Sequence, residues 1–478
     1  MAKTHETNLT EGRIFRTLLL YALPLVATNL LQILFNTMDV AVLGAFVEDS
    51  DRAVAAVGAT TALINLIVGL FVGLSVGANV LVARCMGGKE LDRSRRIVGT
   101  AILSSVILGV ALLLIGVFGA RTFLEWTKCD PDVIDMSEKY LKIYFLGMPI
   151  MMLYNFCASV LRAVGDTKRP FIYLSIAGVA NVGLNIFSVT VLGLDVEGVA
   201  IATVVSQGIS TVLAVIALLK SDGFSKLEIK RLRIDWREFW EIVKIGVPAG
   251  LQGCMFSLAN VVIQSSVNAF GKTVMAANTI GMQYQGFMYN AISAVSVAAL
   301  SFVSQNLGAR KMDRVKRCTW IAIGLALLVW LAIGGPILIL ARPLCGIMSD
   351  SPEVIRLACK RLYIIGISYT FGVVMDVFGS VIRGLGKSTT SMLICLSGSC
   401  LFRLLWVKTV CVRFPTIEAI WWVYLVSWVL TAGIYLVVYF PILKRTEAWL
   451  FADGKEENTE AKETASNGDD RKNEEGMA

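Results

Sequence analysis

Charged side chains are scarce in this chain: they make up 17% of its 478 residues, whereas hydrophobic residues make up 56%. A water-surrounded globule of this length rarely has so apolar a composition, so we predict a multi-pass membrane protein. Histidine is nearly missing as well, because the single histidine, His5, stands in the N-terminal tail. A serine nucleophile needs a base, so GLSVG at Gly73 to Gly77 is not expected to be catalytic. Small residues at that spacing more often let helices approach closely.

Residue patterns that hold metals or nucleotides are also missing. The chain has ten cysteines but no CxxC pair, which argues against a metal site or a disulfide framework. We expect most cysteines to be small buried apolar residues, although Cys129 and Cys345 lie near predicted outer helix ends and could pair. GLGKST at Gly384 to Thr389 resembles a nucleotide-binding loop, but Val381 stands where the Walker pattern requires glycine. No cofactor is therefore predicted.

Long apolar runs account for most of the chain. A run of about 20 residues can cross a hydrocarbon core of roughly 30 Å as a helix, and a helix satisfies its backbone amides internally. We place about twelve such spans, near residues 14–44, 54–82, 97–120, 136–162, 170–194, 196–219, 239–268, 274–304, 318–341, 355–383, 389–412 and 418–443.

The chain repeats itself at a constant offset of 221 residues. VARCMGGKELDRSRR, which starts at Val82, aligns without a gap on VSQNLGARKMDRVKR, which starts at Val303. Two halves built to one plan, in so apolar a chain, are typical of transporters. Without a nucleotide site, transport would use an ion gradient or run passively. We predict an all-α integral membrane protein with twelve transmembrane helices in two six-helix lobes related by an internal repeat.

Charge alternates between the loops. Basic residues cluster after the second, fourth, sixth and eighth spans, whereas the intervening loops carry acids. By the positive-inside rule the basic loops and both termini are cytoplasmic, so the net charge of +8 reflects topology and no nucleic-acid partner is expected. The predicted units are an N-terminal cytoplasmic tail (1–12), an N-lobe (13–220), a cytoplasmic linker (221–238), a C-lobe (239–445) and a disordered acidic cytoplasmic tail (446–478).

Polar side chains in the first half form a candidate cation site. Asp39 continues the first span, which Pro24 is expected to kink. A carboxylate inside a span usually faces water and binds protons or ions; the alternative is that Asp39 sits at the outer headgroup level. Asn181 and Asn185 lie at i and i+4 on one helix face, and Thr203 adds a hydroxyl. These oxygens suit a hard cation such as sodium, and the carboxyl suits a proton.

Several motifs in the chain resemble those of a known family. They are FLGMPIMMLYNFCASVLRAVGDTKRP, NVGLNIF followed by GLDVEGVAIATVVSQ, GVPAGLQGCMFSLANVVIQSSVNAFG and SFVSQNLGARKMDR. They resemble the multidrug and toxic compound extrusion (MATE) family, in its bacterial DinF-like branch, over nearly all of 13–445. The resemblance implies a sodium- or proton-coupled antiporter that exports organic cations and amphipathic drugs from a central cavity by alternating access. We expect a monomer among the lipids of the cell membrane.

The resemblance also implies roles for single residues. Asp39 matches the first-helix acid that titrates or binds sodium, and Pro24 matches the proline at which that helix bends. Asn181 and Thr203 match other cation-site positions, whereas Asn185 falls where many relatives carry a second aspartate. Further polar residues inside spans are candidates for the substrate cavity: Gln32, Asn36, Asn155, Gln283, Asn290 and Asp376. The last of these is either a coupling or substrate-facing acid, or a polar lock between helices.

Two other kinds of transporter stay open as alternatives. GGKELDRSRR at Gly87 to Arg96 also resembles the loop signature of the major facilitator superfamily. The wider superfamily of MATE transporters includes flippases of lipid-linked oligosaccharides, whose cavities would carry several basic residues for pyrophosphate. Here the basic residues concentrate at helix ends, with Lys244, Arg403 and Lys408 as the main exceptions.

Overall fold

The computed structural model describes residues 6–47, 49–127 and 129–475, and within these ranges the chain is helical with no β-strand. Residues 1–5 of the predicted N-terminal tail, including His5, lie outside them. The helices are α1 (Ile14–Phe46), α2 (Ser50–Gly88), α3 (Leu91–Trp126), α4 (Ile134–Leu146), α5 (Met148–Ala163), α6 (Lys168–Thr190), α7 (Val196–Leu219), α8 (Trp236–Asn268), α9 (Lys272–Gly308), α10 (Met312–Ile339), α11 (Ala341–Met348), α12 (Pro352–Gly384), α13 (Ser388–Cys395), α14 (Phe402–Arg413) and α15 (Ile417–Glu475).

Twelve apolar spans can be counted among the described helices. Eleven helices are long and apolar enough to cross a membrane, and α4 and α5 form a further span that is bent by 50°. The bend is at Gly147, two residues before Pro149 in the first turn of α5, and a proline removes one backbone donor from the helix. One of the eleven, Ser388–Arg413, contains α13, a π-helical segment (Leu396–Leu401) and α14. The predicted fold class is confirmed.

The internal repeat is visible in the backbone. Lys89 and Arg310, which are 221 positions apart, both have left-handed backbones with φ of 60° and 57°. Gly165 and Gly386 form a second such pair, at 83° and 78°. Left-handed residues end helices and turn the chain sharply. The four turns lie at one end of the helix bundle, which we call the basic end.

Glycines hold the two lobes together. Gly73 and Gly77 of α2 lie against Gly246 and Gly250 of α8, so closely that a Cβ at Gly73 would overlap the backbone of Gly250. Small residues let helix backbones approach in this way. The GLSVG segment is therefore a helix-packing motif, as its spacing predicts.

The first helix of each lobe begins in the core of the other lobe. Leu18 and Leu25 of α1 are buried among side chains of the second lobe, whereas Leu43 packs in the first. α8 does the reverse, because Ile242 packs in the first-lobe core and Ile263 packs in the second. Each of these helices contains a proline: Pro248 lies between the two packing segments of α8, whereas Pro24 lies within the part of α1 that packs in the second lobe. The lobes are thus interlocked at the basic end.

The cysteines are unpaired, and eight of the ten are buried. Cys129 lies 3.8 Å from Ser137 Oγ and forms no bond to Cys345, which is buried separately. The expectation that most cysteines are buried apolar residues is confirmed.

The last helix extends further than the composition predicts. Segment 446–478 is expected to be disordered, but α15 continues without a break to Glu475. Glu, Lys and Ala are abundant in this segment and are strong helix formers, so the backbone can remain helical without an apolar face to bury. The structure therefore differs from the prediction up to residue 475, and residues 476–478 lie outside the described ranges.

Candidate cation site and cavity

Four polar side chains from three helices meet in the first lobe. Asn185 Nδ2 donates a hydrogen bond to Asp39 Oδ1 at 2.5 Å and another to Asn181 Oδ1 at 3.2 Å. Asn181 Nδ2 in turn donates to Thr203 Oγ1 at 3.5 Å. Helices α1, α6 and α7 supply these residues. The structure thus brings together all four residues proposed as the cation site.

Local sequence explains how this cluster forms. Asn181 and Asn185 are one turn apart on α6, which packs against both α1 and α7. Gly178, one turn earlier on α6, leaves room for the ring of Phe35 from α1, which a Cβ at that position would overlap. Asn181 and Asn185 are only 5% and 0% exposed. The two amides are therefore buried where α1 is held closely against α6, whereas Asp39 and Thr203 are half-buried.

The oxygens of the cluster fit a hard cation. Asn185 Oδ1 is buried and has no hydrogen-bond partner, which leaves a polar atom unsatisfied at a cost of about 1–3 kcal/mol. Sodium would be coordinated by this oxygen together with oxygens of Asp39 and Asn181, because hard cations prefer oxygen ligands. A proton would instead neutralise the single carboxylate. Among the described residues there is no cluster of three or more His, Cys, Asp or Glu that could hold a metal ion.

Two tyrosines of this site are not found by reasoning from the sequence. Tyr140 and Tyr144 of α4 lie close enough to Asp39 to interact with its charge. Their rings stack on each other with centroids 6.2 Å apart. The signal is present in the sequence as a YxxxY spacing within a span, but that spacing is also common in plain packing.

A cavity of about 520 Å³ lies against the second lobe. Its walls come from α2, α8, α9, α12, α13 and α15, and Asp376 of α12 is one of the lining residues. Ser296 and Arg383 are the polar neighbours of this carboxylate. Gln285 and Met282 line the wall from α9.

Of the six predicted cavity residues, only Asp376 lines this cavity. The other five lie on α1, α5 and α9: Gln32, Asn36, Asn155, Gln283 and Asn290. The amides of Asn155 and Asn290 each donate at 2.9 Å to a carbonyl one turn earlier on the same helix. Gln283 is exposed, whereas Gln285, two positions on, faces the cavity. Composition locates polar residues in a span but does not fix which face they occupy.

Two buried arginines also stand beside the cavity. Arg361 and Arg403 are 1% and 0% exposed, and both lie inside apolar spans. Arg403 is one of the basic residues that stand out in the sequence, whereas Arg361 is near the predicted start of its span and is missed there.

Arginines related by the repeat close the basic end. Arg93 of α3 binds Glu238 at the start of α8 through Nε and Nη2, at 3.0 and 3.3 Å. Arg314 of α10 binds three backbone carbonyls of the segment that enters α1, between Leu9 and Gly12, at 3.0 to 3.3 Å. Each arginine therefore holds the entry to the first helix of the other lobe.

The fold and the site have relatives among known proteins. The MatE family model matches residues 24–187 and 248–406, more than half of the chain. The chain belongs to the MatE family. This membership confirms the resemblance seen in the sequence motifs, and the major-facilitator alternative is wrong.

Individual relatives of this MatE protein are distant in sequence. It is 28% identical over 376 residues to the probable multidrug resistance protein YoeA of Bacillus subtilis, and the aligned region covers 75% of this chain and 79% of that protein. It is 22% identical over 437 residues to the multidrug export protein MepA of Staphylococcus aureus, covering 90% and 94%. A solved outward-facing multidrug resistance MATE family transporter superimposes with a TM-score of 0.86 at 19% identity, covering 93% and 100%. The structural likeness concerns the fold.

Proposed function

We propose that this MatE protein is a cation-coupled antiporter that exports organic cations and amphipathic drugs by alternating access. The observation that carries the proposal is the hydrogen-bonded network around Asp39, in which a carboxylate, two amides and a hydroxyl converge. A carboxylate enclosed in a membrane span is costly and usually serves ion or proton binding. The names of the relatives YoeA and MepA support drug-like substrates.

The coupling ion is sodium or a proton, and either acts through the same helix. Sodium would be held by oxygens of Asp39, Asn181 and Asn185, whereas a proton would sit on Asp39 itself. An ion shifts the balance between two conformations only by its difference in affinity for them. Because Pro24 weakens the backbone of α1 between Leu18 and Asp39, a change at Asp39 can alter the contact of α1 with α6 and bend the helix.

Alternating access also requires the basic end to open. The bonds of Arg93 to Glu238 and of Arg314 to the carbonyls before α1 close that end in this conformation. In the opposite state both sets must break. We assign the basic end and both termini to the cytoplasm, in a monomer embedded in the lipids of the cell membrane, because the basic loops are expected there.

Efflux from proteoliposomes tests this proposal. Wild type is expected to export a cationic dye when a sodium or a proton gradient is imposed, each applied separately. Asp39→Asn should reduce gradient-driven export to the level of protein-free liposomes. Asp51→Asn, which changes an exposed acid at the start of α2, should leave export unchanged. Gradient-driven export that persists in Asp39→Asn contradicts the coupling role.

A second candidate function is a lipid-linked oligosaccharide flippase. The observation in its favour is the pair of buried arginines beside the cavity, neither of which has an acid within 4.0 Å among the described residues. Pyrophosphate is a ligand that arginine binds well. Movement of a fluorescent lipid pyrophosphate between leaflets, dependent on both arginines, would favour this function over drug export.

A further inference from the structure

An aromatic cage at one end of the second-lobe cavity is filled by the side chain of Arg403. The guanidinium carbon lies 4.8, 4.6 and 5.8 Å from the ring centroids of Phe256, Tyr424 and Trp428. All three rings line the cavity. Such cages recognise organic cations, but here the cation in the cage belongs to the protein.

The guanidinium of Arg403 has unused hydrogen-bond donors. Nε donates to Ser427 Oγ and Nη1 donates to Asn260 Oδ1, each at 3.1 Å. Nη2 is buried and has no partner, although a guanidinium offers five N–H donors. An unpaired buried charge is unfavourable. A ligand oxygen would satisfy it.

Arg361 repeats this situation from α12. Its Nε donates to Asn278 Oδ1 at 2.7 Å, and its Nη2 donates to Gln285 Oε1 at 2.8 Å. Nη1 is buried without a partner. Because Gln285 lines the cavity, the second guanidinium lies directly behind the same wall.

The positive charge at this end is not cancelled within the cavity. Among the described lining residues only Asp376 and Arg383 are charged, and both are on α12. Tyr369, whose ring lies 4.7 Å from that of Trp428, marks the level of the cage. Asp376 is seven residues further along the helix, about 10 Å at 1.5 Å per residue, and Arg383 is its charged neighbour.

The repeat places these residues where the first lobe has its cation site. At the offset of 221, Asp39 corresponds to Asn260, and Thr203 corresponds to Tyr424. Tyr140, which lies near Asp39, corresponds to Arg361. The second lobe therefore carries the same shell of positions with an amide in place of the acid and guanidinium groups added. The charged groups at these positions are therefore positive in the second lobe, whereas the charged group of the first lobe is negative.

We propose that Arg403, supported by Arg361, forms an anion subsite in the second-lobe cavity. It binds the carboxylate, sulfonate or phosphate group of an amphipathic molecule whose apolar part packs on Phe256, Tyr424 and Trp428. Arginine suits this role because its planar fork pairs with two oxygens at once. The cage covers Nη2, so the subsite opens when one of the rings swings aside. The inference rests on the proposed export of amphipathic molecules and adds their anionic group.

Binding to the purified full-length chain tests the subsite. The probes are carboxyfluorescein and the tetraphenylphosphonium cation. Arg403→Gln should weaken carboxyfluorescein binding about tenfold, as expected for one charge-assisted contact, and Arg403→Lys should weaken it less. Arg413→Gln, an exposed arginine on the same helix, should have no effect. Tetraphenylphosphonium should bind Arg403→Gln as well as wild type or better, since the cage is vacated.

Two outcomes would overturn the subsite: wild type that does not bind the carboxylate dye, or Arg403→Gln that weakens both probes equally. If Arg403→Gln is not monodisperse, Arg361→Gln provides the same comparison. Asp39→Asn should keep dye binding while losing gradient-driven export, so failure of coupling and failure of the subsite are distinguishable. Competition by phosphatidylglycerol vesicles, but not by phosphatidylcholine vesicles, would assign the anionic group to a lipid; its absence would assign it to a free solute.

Discussion

The two lobes share a backbone plan but carry different side chains at the same depth. The first lobe holds Asp39 among amides and a hydroxyl, whereas the second holds Asn260 beside a caged guanidinium. The turns at Lys89 and Arg310, by contrast, have nearly equal φ angles. The two halves therefore share the backbone turns on which folding and closure of the basic end depend, whereas the polar side chains inside the lobes have diverged. On the two proposals made above, the first lobe binds a cation and the second binds an anion.

Substitution of two glycines related by the repeat tests the shared scaffold and should have the largest effect on stability. A Cβ at Gly87 would overlap the carbonyl of Gln305, and one at Gly308 would overlap that of Arg84. Gly87→Val and Gly308→Val should each lower the free energy of unfolding by about 3 kcal/mol. Gly324→Val, at an exposed glycine with open space around it, serves as control.

The measurement is thermal unfolding in detergent. If the two variants at Gly87 and Gly308 lose unequal amounts of stability, the two positions are not equivalent in the scaffold. If Gly324→Val loses as much stability as they do, the effect comes from valine itself and not from the close backbone contact.

The two basic-end arginines should differ although they are equivalent by sequence. Arg93→Ala leaves Glu238, which is 3% exposed, as a buried acid without its bidentate partner, at a cost of about 3 kcal/mol. Arg314→Ala leaves the amide oxygen of Asn306 and three backbone carbonyls, some of which water can reach; all are uncharged, so we expect about 1–2 kcal/mol. Glu238→Gln should partly rescue Arg93→Ala, because it removes the stranded charge. Denaturation of the three variants and the double variant measures this, and equal costs for both arginines would contradict it.

Asp376 and Asn155, which occupy equivalent positions, should have unequal effects on transport. Asp376 lines the cavity, whereas the Asn155 amide donates to the carbonyl of Met151 on its own helix. Asp376→Asn should reduce the apparent affinity for a cationic dye about tenfold, the loss of one charge contact. Asn155→Ala should change it less than about twofold. Transport kinetics in proteoliposomes measure both, and a larger effect at Asn155 would reverse the assignment.

Sequence alone locates the first-lobe site because its signals are local. Asn181 and Asn185 are one turn apart, and an acid within a span is rare enough to stand out. Tyr140 and Arg361 are not found in this way, because their roles depend on which face of α4 and α12 meets the site. The prediction that Gln283 lines the cavity is wrong for the same reason: the sequence does not show which face of α9 meets the cavity, and Gln285 lines it instead.

Contacts between distant segments are the other part that sequence does not provide. The N-terminal tail reads as a polar extension, yet Leu9 is fully buried and its amide donates to Gln305 Oε1 at 2.9 Å. Likewise, nothing in α1 or α8 indicates that each begins in the core of the opposite lobe. These features arise from packing over nearly 300 residues of separation, which periodicity does not encode.

Cation binding to the purified protein tests the difference between the lobes most directly. A ligand that binds the folded and not the unfolded state raises the melting temperature, by an amount that grows with the ratio of its concentration to its Kd. We expect sodium, or a lower pH if the ion is a proton, to raise the melting temperature of wild type and of Asn260→Ala by the same amount, and to leave Asp39→Asn unshifted. If the shift persists in Asp39→Asn, or disappears in Asn260→Ala, the cation does not bind at Asp39 in the first lobe, and the proposed difference between the lobes is contradicted.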